Sequence, residues 1–480
     1  MESTHAQRTT GGLLGGMALA LALFYWGGTL LTALAGLGLF GILALVRPDL
    51  ALLFVPFTVP LYLIPGSLPG LRAHGFDLFV HEAALLLSAG ASGVHLLRRR
   101  GAQLPWLTAA SFSTALRQYA PHTLFLLAGI IGVLLAVARG PALIEFRRLI
   151  VEPLLFYALA RQQLRHWHTQ PTIPALISAL VAAGAVVGLL ALLQYSGLDI
   201  VPLLGKKQCF APDGSPCQNI ITDGGVRRVQ SVYGHPNNLG LFLGRVWPLA
   251  ATLTFLWYRW KRPWLRWLGA LSTCLCLGGL VVSFSRGAWL GALAAAAVLT
   301  FGAAQPWLRR SSRGTLISAV LGMAVVLAVL GGLALSLRGD VRSGSTPVRL
   351  LLWEEALGYL RIHPLGIGLD QFATYHDPKS GLSLINPVLI GTSEQYAAHP
   401  HNLLLDIALR LGPLGLIAFA WLLWRFFRTT FRARQALLLG ITAAMVAALA
   451  HGLVDNFYFV SDLAIVFWLF IAMSESVEPK

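Results

Sequence analysis

Residues 172–196, Thr172-Ile-Pro-Ala-Leu-Ile-Ser-Ala-Leu-Val-Ala-Ala-Gly-Ala-Val-Val-Gly-Leu-Leu-Ala-Leu-Leu-Gln-Tyr-Ser196, run for 25 positions without a charge. A helix of that length crosses the roughly 30 Å of a bilayer's hydrocarbon with a turn to spare. Outward from it in both directions the pattern repeats. Apolar stretches fall at 12–27, 28–46, 49–65, 78–97, 121–139, 142–160, 237–258, 265–284, 286–305, 315–337, 401–425, 434–452 and 457–474, which makes 14 expected spans in all. The first run is followed at once by the second with no small-residue cleavage site, so it reads as a retained helix. Composition agrees: of 480 residues 56% are apolar and 12% charged, with mean hydropathy +0.68. Ordinary soluble domains carry about 25% charged residues, so a soluble globular or disordered chain is excluded. The fold class expected is all-α, a polytopic integral membrane protein of about 12–14 transmembrane helices.

The charge excess sets an orientation. With 36 Lys and Arg against 20 Asp and Glu, the chain carries +16. With both termini cytoplasmic and 14 alternating spans, one side collects 20 cations and four acids, and the other 16 of each. The whole excess then lies inside, as the positive-inside tendency requires, and nucleic acid need not be invoked to explain it.

Two outer segments are long, 197–236 and 338–400. The first holds Cys209 and Cys217, which pair if the loop faces an oxidising side and not otherwise. Cys274 and Cys276 lie in an apolar run and read as core. In the second, Pro347 opens a stretch with apolar residues at helical spacing, read as an amphipathic helix near the outer surface. The domains expected are 1–236, an N-terminal transmembrane bundle with outer loop 197–236, and 237–480, a C-terminal transmembrane region with the large outer loop 338–400.

Polar residues cluster toward the outer side. His399-Pro-His401-Asn402 opens the span 401–425, where a histidine can exchange a proton near neutral pH or simply cap the helix. Asp406 and Arg410, spaced i and i+4, suit an ion pair. Arg286 lies between two spans with almost no loop, and Arg349 lies in the amphipathic stretch. Guanidiniums converging there grip a pyrophosphate bidentately, whereas alone each is an interface residue. Arg147 and Arg148, near Glu145 and Glu152, read first as an ion-pair network. Gly234-His235-Pro-Asn-Asn238 opens the span 237–258 with cap-like Asn residues, and His363-Pro-Leu-Gly-Ile-Gly368 reads as a turn. No Walker, HExxH or carboxylate-cluster motif is present, which points to metal-independent chemistry with no cofactor.

These residues resemble the O-antigen ligase and Wzy-polymerase superfamily. His401-Asn402, nine residues, Gly412, Pro413-Leu414 and Gly415 fit the ligase motif without a gap. The segments at 234–238, 285–287, 349–353 and 363–368 are similar and in the same order, covering roughly 230–425. The resemblance implies a GT-C-like membrane glycosyltransferase of the bacterial inner membrane, with its active site facing outward. The donor would be a glycan on undecaprenyl pyrophosphate, and the acceptor a lipid-A core or another glycan. It further implies inversion without a metal, His401 as the catalytic base, and Arg286 and Arg349 on the pyrophosphate. His399, Asn402, Arg147, Arg148, His235 and Asn238 would support them. Ligase and polymerase both remain open, and a solute transporter is the rival of another class.

Overall fold

The computed structural model describes residues 2–63, 77–98, 109–165, 173–204, 220–223, 226–308, 345–376, 389, 397–432 and 435–477. In chain order the helices are α1 (Glu2–Trp26), α2 (Leu30–Val46), α3 (Pro48–Ala51), α4 (Phe54–Thr58), α5 (Val80–Arg98), α6 (Ala109–Leu135), α7 (Arg139–Phe146) and α8 (Glu152–Gln163). They continue as α9 (Ala175–Ser196), α10 (Pro236–Arg259), α11 (Pro263–Val282), α12 (Arg286–Leu308), α13 (Ser345–Ile362), α14 (Leu403–Arg432), α15 (Ala436–Gly452) and α16 (Ser461–Glu475). Between α9 and α10 sits one antiparallel hairpin, β1 (Ile220–Asp223) with β2 (Val226–Val229), in which Ile220 faces Val229 and Asp223 faces Val226. The sequence reading expected only loop there.

Among the described residues eight helices are long and apolar enough to cross a membrane, and three shorter apolar segments join them. The chain is therefore an all-α polytopic membrane protein. The span expected at 315–337 and the cysteines Cys209 and Cys217 lie outside the described residues. Two expected spans are not single helices. The 49–65 stretch breaks into α3, α4 and a 3-10 turn, because Pro48, Pro56 and Pro60 withhold backbone donors. The 142–160 stretch is α7 and α8 joined by a π-turn at Arg147–Val151. Pro153 cannot donate to the Leu149 carbonyl, and the Tyr458 hydroxyl donates to that oxygen instead, at 2.6 Å. In lipid such a freed backbone group must find a partner inside the protein.

One hydrophobic cluster runs from Met17 on α1 to Met473 on α16, so the N-terminal and C-terminal halves share a core. Helix α16 is apolar all round, and every residue from Ile465 to Met473 is buried, as expected of a helix enclosed by others. Leu31, Leu134, Trp264, Trp267 and Phe431 remain exposed, a surface suited to lipid. Cys276 is buried as expected, but Cys274 is exposed on the outer face of α11. A second small cluster (Leu352, Ala356, Ile367, Phe372 and Leu409 among its members) seats α13 over the start of α14.

The two ends of the bundle carry separate polar groups. At the C-terminal end of α16, Glu475 binds Tyr157 and Arg161 and lies 3.3 Å from Arg425. At the opposite end the loop 453–460, between α15 and α16, meets the start of α14.

Candidate active site

Helix α14 begins at this second end, and its first turn is fixed by Asn402. The Asn402 side-chain oxygen accepts from the Leu404 and Leu405 amides at 3.0 and 3.2 Å. Its amide donates to the Leu453 carbonyl at 3.1 Å. Asn402 thus caps the helix and ties it to the loop before α16. Its neighbour His401 is held at φ 50, the left-handed region. A non-glycine residue kept there costs about 1–3 kcal/mol and survives where the surroundings impose it.

The imposed geometry aims His401 at an aspartate. Its Nδ1–H donates to Asp455 Oδ1 at 3.0 Å, and His401 and Asp455 are 8% and 2% exposed. The tautomer follows from that bond, which leaves Nε2 as the basic nitrogen. Burial would push the Asp455 carboxyl up, but His401, His451 and His399 together hold it well below the usual carboxylate range. Asp455 is therefore ionised and orients the imidazole, as the acid of a catalytic triad does. The ring of His399 lies 4.2 Å from that of His401, and the His401 amide donates to His399 Nδ1 at 3.3 Å.

Two basic side chains approach the other Asp455 oxygen. Arg349 on α13 places Nη2 3.9 Å from Oδ2, and His451 Nε2 is 3.8 Å away. The Arg349 Nε and, one turn on, the Trp353 indole nitrogen are buried donors with no partner among the described residues. Helix α12 starts against His451: a Cβ at Gly287 would lie 2.3 Å from the imidazole, and Ser285 Oγ is 3.5 Å from Nε2. Arg286, the first residue of α12, precedes Gly287 at the positive end of that helix's dipole. Histidine, ionised aspartate and Arg349, beside the N-terminus of the helix that begins at Arg286, suit a reaction that needs a base beside a developing anion.

The remaining expected residues lie elsewhere. Arg147 and Arg148 bind the buried Glu82 at 3.2 and 3.1 Å, and Arg147 lies 3.1 Å from Glu152. Glu145 pairs instead with Arg410, which also holds Asp406 at 2.7 Å. At the start of α10 the cap is His235, not the asparagines: its Nδ1 accepts from the Asn237 amide at 3.1 Å. Asn237 in turn holds Arg228 at 2.9 Å, and Asn238 bonds to Tyr62. None of these contacts reaches His401.

Asp455 and His451 escaped the sequence reading. They sit some fifty residues beyond the His-Asn motif in an otherwise apolar stretch. The signal available was Asp455-Asn456, two polar residues between spans. His399, His401 and Asp455 bring ligand atoms within 4.8 Å of one another, as do His81, Glu82 and Glu152. A divalent ion would fit the first set by donor type, although Arg349 already supplies a cation to the same carboxylate.

Membrane helices around a histidine, carboxylate and arginine site define a multi-pass protein with an enzyme-like centre at one end. Residues 271–420 match the family model described as O-antigen ligase, so this stretch is similar to the O-antigen ligase and Wzy-polymerase superfamily. The matched stretch holds Arg286, Arg349, His399, His401 and Asn402, and stops short of His451 and Asp455. That family implies a glycosyltransferase-type enzyme with a lipid-linked glycan and an acceptor as partners. No curated protein matches the chain.

Proposed function

We propose that the protein is an inverting, metal-independent glycosyltransferase that moves a glycan from undecaprenyl pyrophosphate to an acceptor sugar hydroxyl. It would act as an O-antigen ligase at the outer face of the inner membrane, with both termini cytoplasmic. The observation that carries the reading is the His401–Asp455 pair beside Arg349, of which His401 and Arg349 fall inside the stretch that matches the family. His401 Nε2 takes the proton of the acceptor hydroxyl. The freed oxygen attacks the anomeric carbon as its bond to the pyrophosphate oxygen breaks. The electron pair leaves with the pyrophosphate, whose growing charge Arg286, Arg349 and the start of α12 stabilise. Asp455 keeps the imidazole turned and stabilises the imidazolium.

The test is transfer by the purified chain from a lipid-pyrophosphate glycan, in the presence of EDTA. A lipid-A core and then a second donor molecule serve as acceptors. Transfer to the core supports the ligase, and lengthening of the donor supports the polymerase. Activity that EDTA abolishes and a divalent ion restores would overturn the metal-independent reading. No transfer to either acceptor, with solute flux in vesicles, would favour a transporter.

A further inference from the structure

A cavity opens against the loop 453–460 that carries Asp455. It is open to the surroundings, with a volume of about 400 Å³, and is lined by Tyr62, Glu145, Arg148, Asp370, Phe459 and Ser461, among others, within the size range of small-molecule sites. Two features connect it to the site. Phe459 follows Asp455 on the same loop. Arg410 binds Glu145 on the cavity side and donates to the Ala398 carbonyl, next to His399, at 3.1 Å.

The lining has a definite chemistry. Glu145 is 9% exposed, and its Oε2 is buried with no hydrogen-bond partner among the described residues. A buried carboxylate oxygen with nothing to accept from calls for a donor. Asp370 is held at φ 52, a strained conformation for a non-glycine residue. Around Arg410 gather three acids, Asp406, Glu145 and Asp370, and of these Glu145 and Asp370 line the cavity. Arg148 is already matched by Glu82 and adds little free positive charge.

We propose that this cavity binds a sugar of the acceptor glycan through its hydroxyls, and that it admits neutral or amino sugars while rejecting acidic ones. The inference rests on the glycosyltransferase reading and names where its acceptor lies. Glu145 and Asp370 accept from hydroxyl donors, Arg148 and Ser461 donate, and the rings of Tyr62 and Phe459 offer apolar faces. A carboxylate-bearing sugar would meet two carboxylates at close range.

The experiment uses the full chain in nanodiscs and equilibrium dialysis of two radiolabelled probes. One is a glucose trisaccharide, and the other is the same trisaccharide ending in glucuronic acid. Wild type should bind the neutral probe at least tenfold more tightly. Asp370→Asn should weaken the neutral probe several-fold and narrow the difference. Ser461→Ala, a second change in the lining, should weaken both probes alike. Equal binding of the two probes by wild type, or no effect of either substitution, would overturn the proposal. The dialysis reads binding without turnover. A neutral preference in a protein that transfers nothing would leave the cavity assigned and sink the transferase, whereas transfer without the preference would do the reverse.

Discussion

At His401 a strained backbone, a buried hydrogen bond and a helix cap meet within two residues. This is why the residue types were legible and their partner was not. His401 and Asn402 announce themselves as polar groups at the mouth of an apolar span. Asp455 does not, because only the fold brings loop 453–460 onto the start of α14. Asp455→Asn, which keeps the shape, should lower transfer by about 10²–10⁴-fold, since the imidazole loses its orienting acceptor. Combined with His401→Ala it should cost little more than His401→Ala alone, because the two act as one unit; steady-state rates of the double variant check this. Arg286→Lys should cut kcat while the protein still folds, because an ammonium cannot make the two-pronged contact. Near-normal kcat would return Arg286 to an interface role. The depressed Asp455 carboxyl also fixes a pH expectation. Its folded value lies below the unfolded value of about 3.9. Its contribution to stability is thus fully present above that pH and is lost only as pH falls through the folded value. As pH falls below about 4, the difference in unfolding midpoint between wild type and Asp455→Asn should shrink.

Two prolines explain the elements around the site. Pro413 withholds the amide that would bond the Leu409 carbonyl, and the loop after α13 uses the vacancy: the Ile367 and Gly368 amides donate to that oxygen at 2.7 and 3.1 Å. Gly412, at φ 65, makes the kink, and a Cβ there would lie 2.3 Å from the Leu365 carbonyl oxygen. The glycine and proline of the ligase-like motif therefore dock the His363–Gly368 turn, and with it α13 and Arg349, onto α14. Gly412→Ala should cost at least about 1–2 kcal/mol from the backbone alone. It should lower both the unfolding midpoint in detergent and the activity, through Arg349. The expected spans at 49–65 and 142–160 failed as single helices for the same reason that α14 kinks. Hydropathy finds apolar length, but it does not say how a proline's orphaned carbonyl is satisfied. Tyr458→Phe, which strips the Leu149 carbonyl of its donor, should destabilise by about 1–3 kcal/mol, read as a lower unfolding midpoint.

Across the molecule, hydropathy and charge were enough for the all-α membrane class, because a bilayer leaves a chain few alternatives. The hairpin β1–β2 and the burial of α16 on all faces depend on tertiary partners and were not legible. The orientation read from charge would put Glu475 and Arg425 inside and His401 outside. Single cysteines at the exposed positions Leu404 and Phe431 should therefore label oppositely with an impermeant reagent applied outside. Labelling of both from one side would break the topology. Cys209 and Cys217 should resist that reagent until reduced, if their loop lies on the oxidising side.

The central claim is that His401, oriented by Asp455, is the base for glycan transfer. Single-turnover transfer from a lipid-pyrophosphate glycan should be compared for wild type, His399→Ala and His401→Ala in nanodiscs, with folding checked by thermal unfolding. The account predicts that folded His401→Ala makes no detectable product while His399→Ala retains transfer. Transfer retained by His401→Ala and lost in His399→Ala would contradict it.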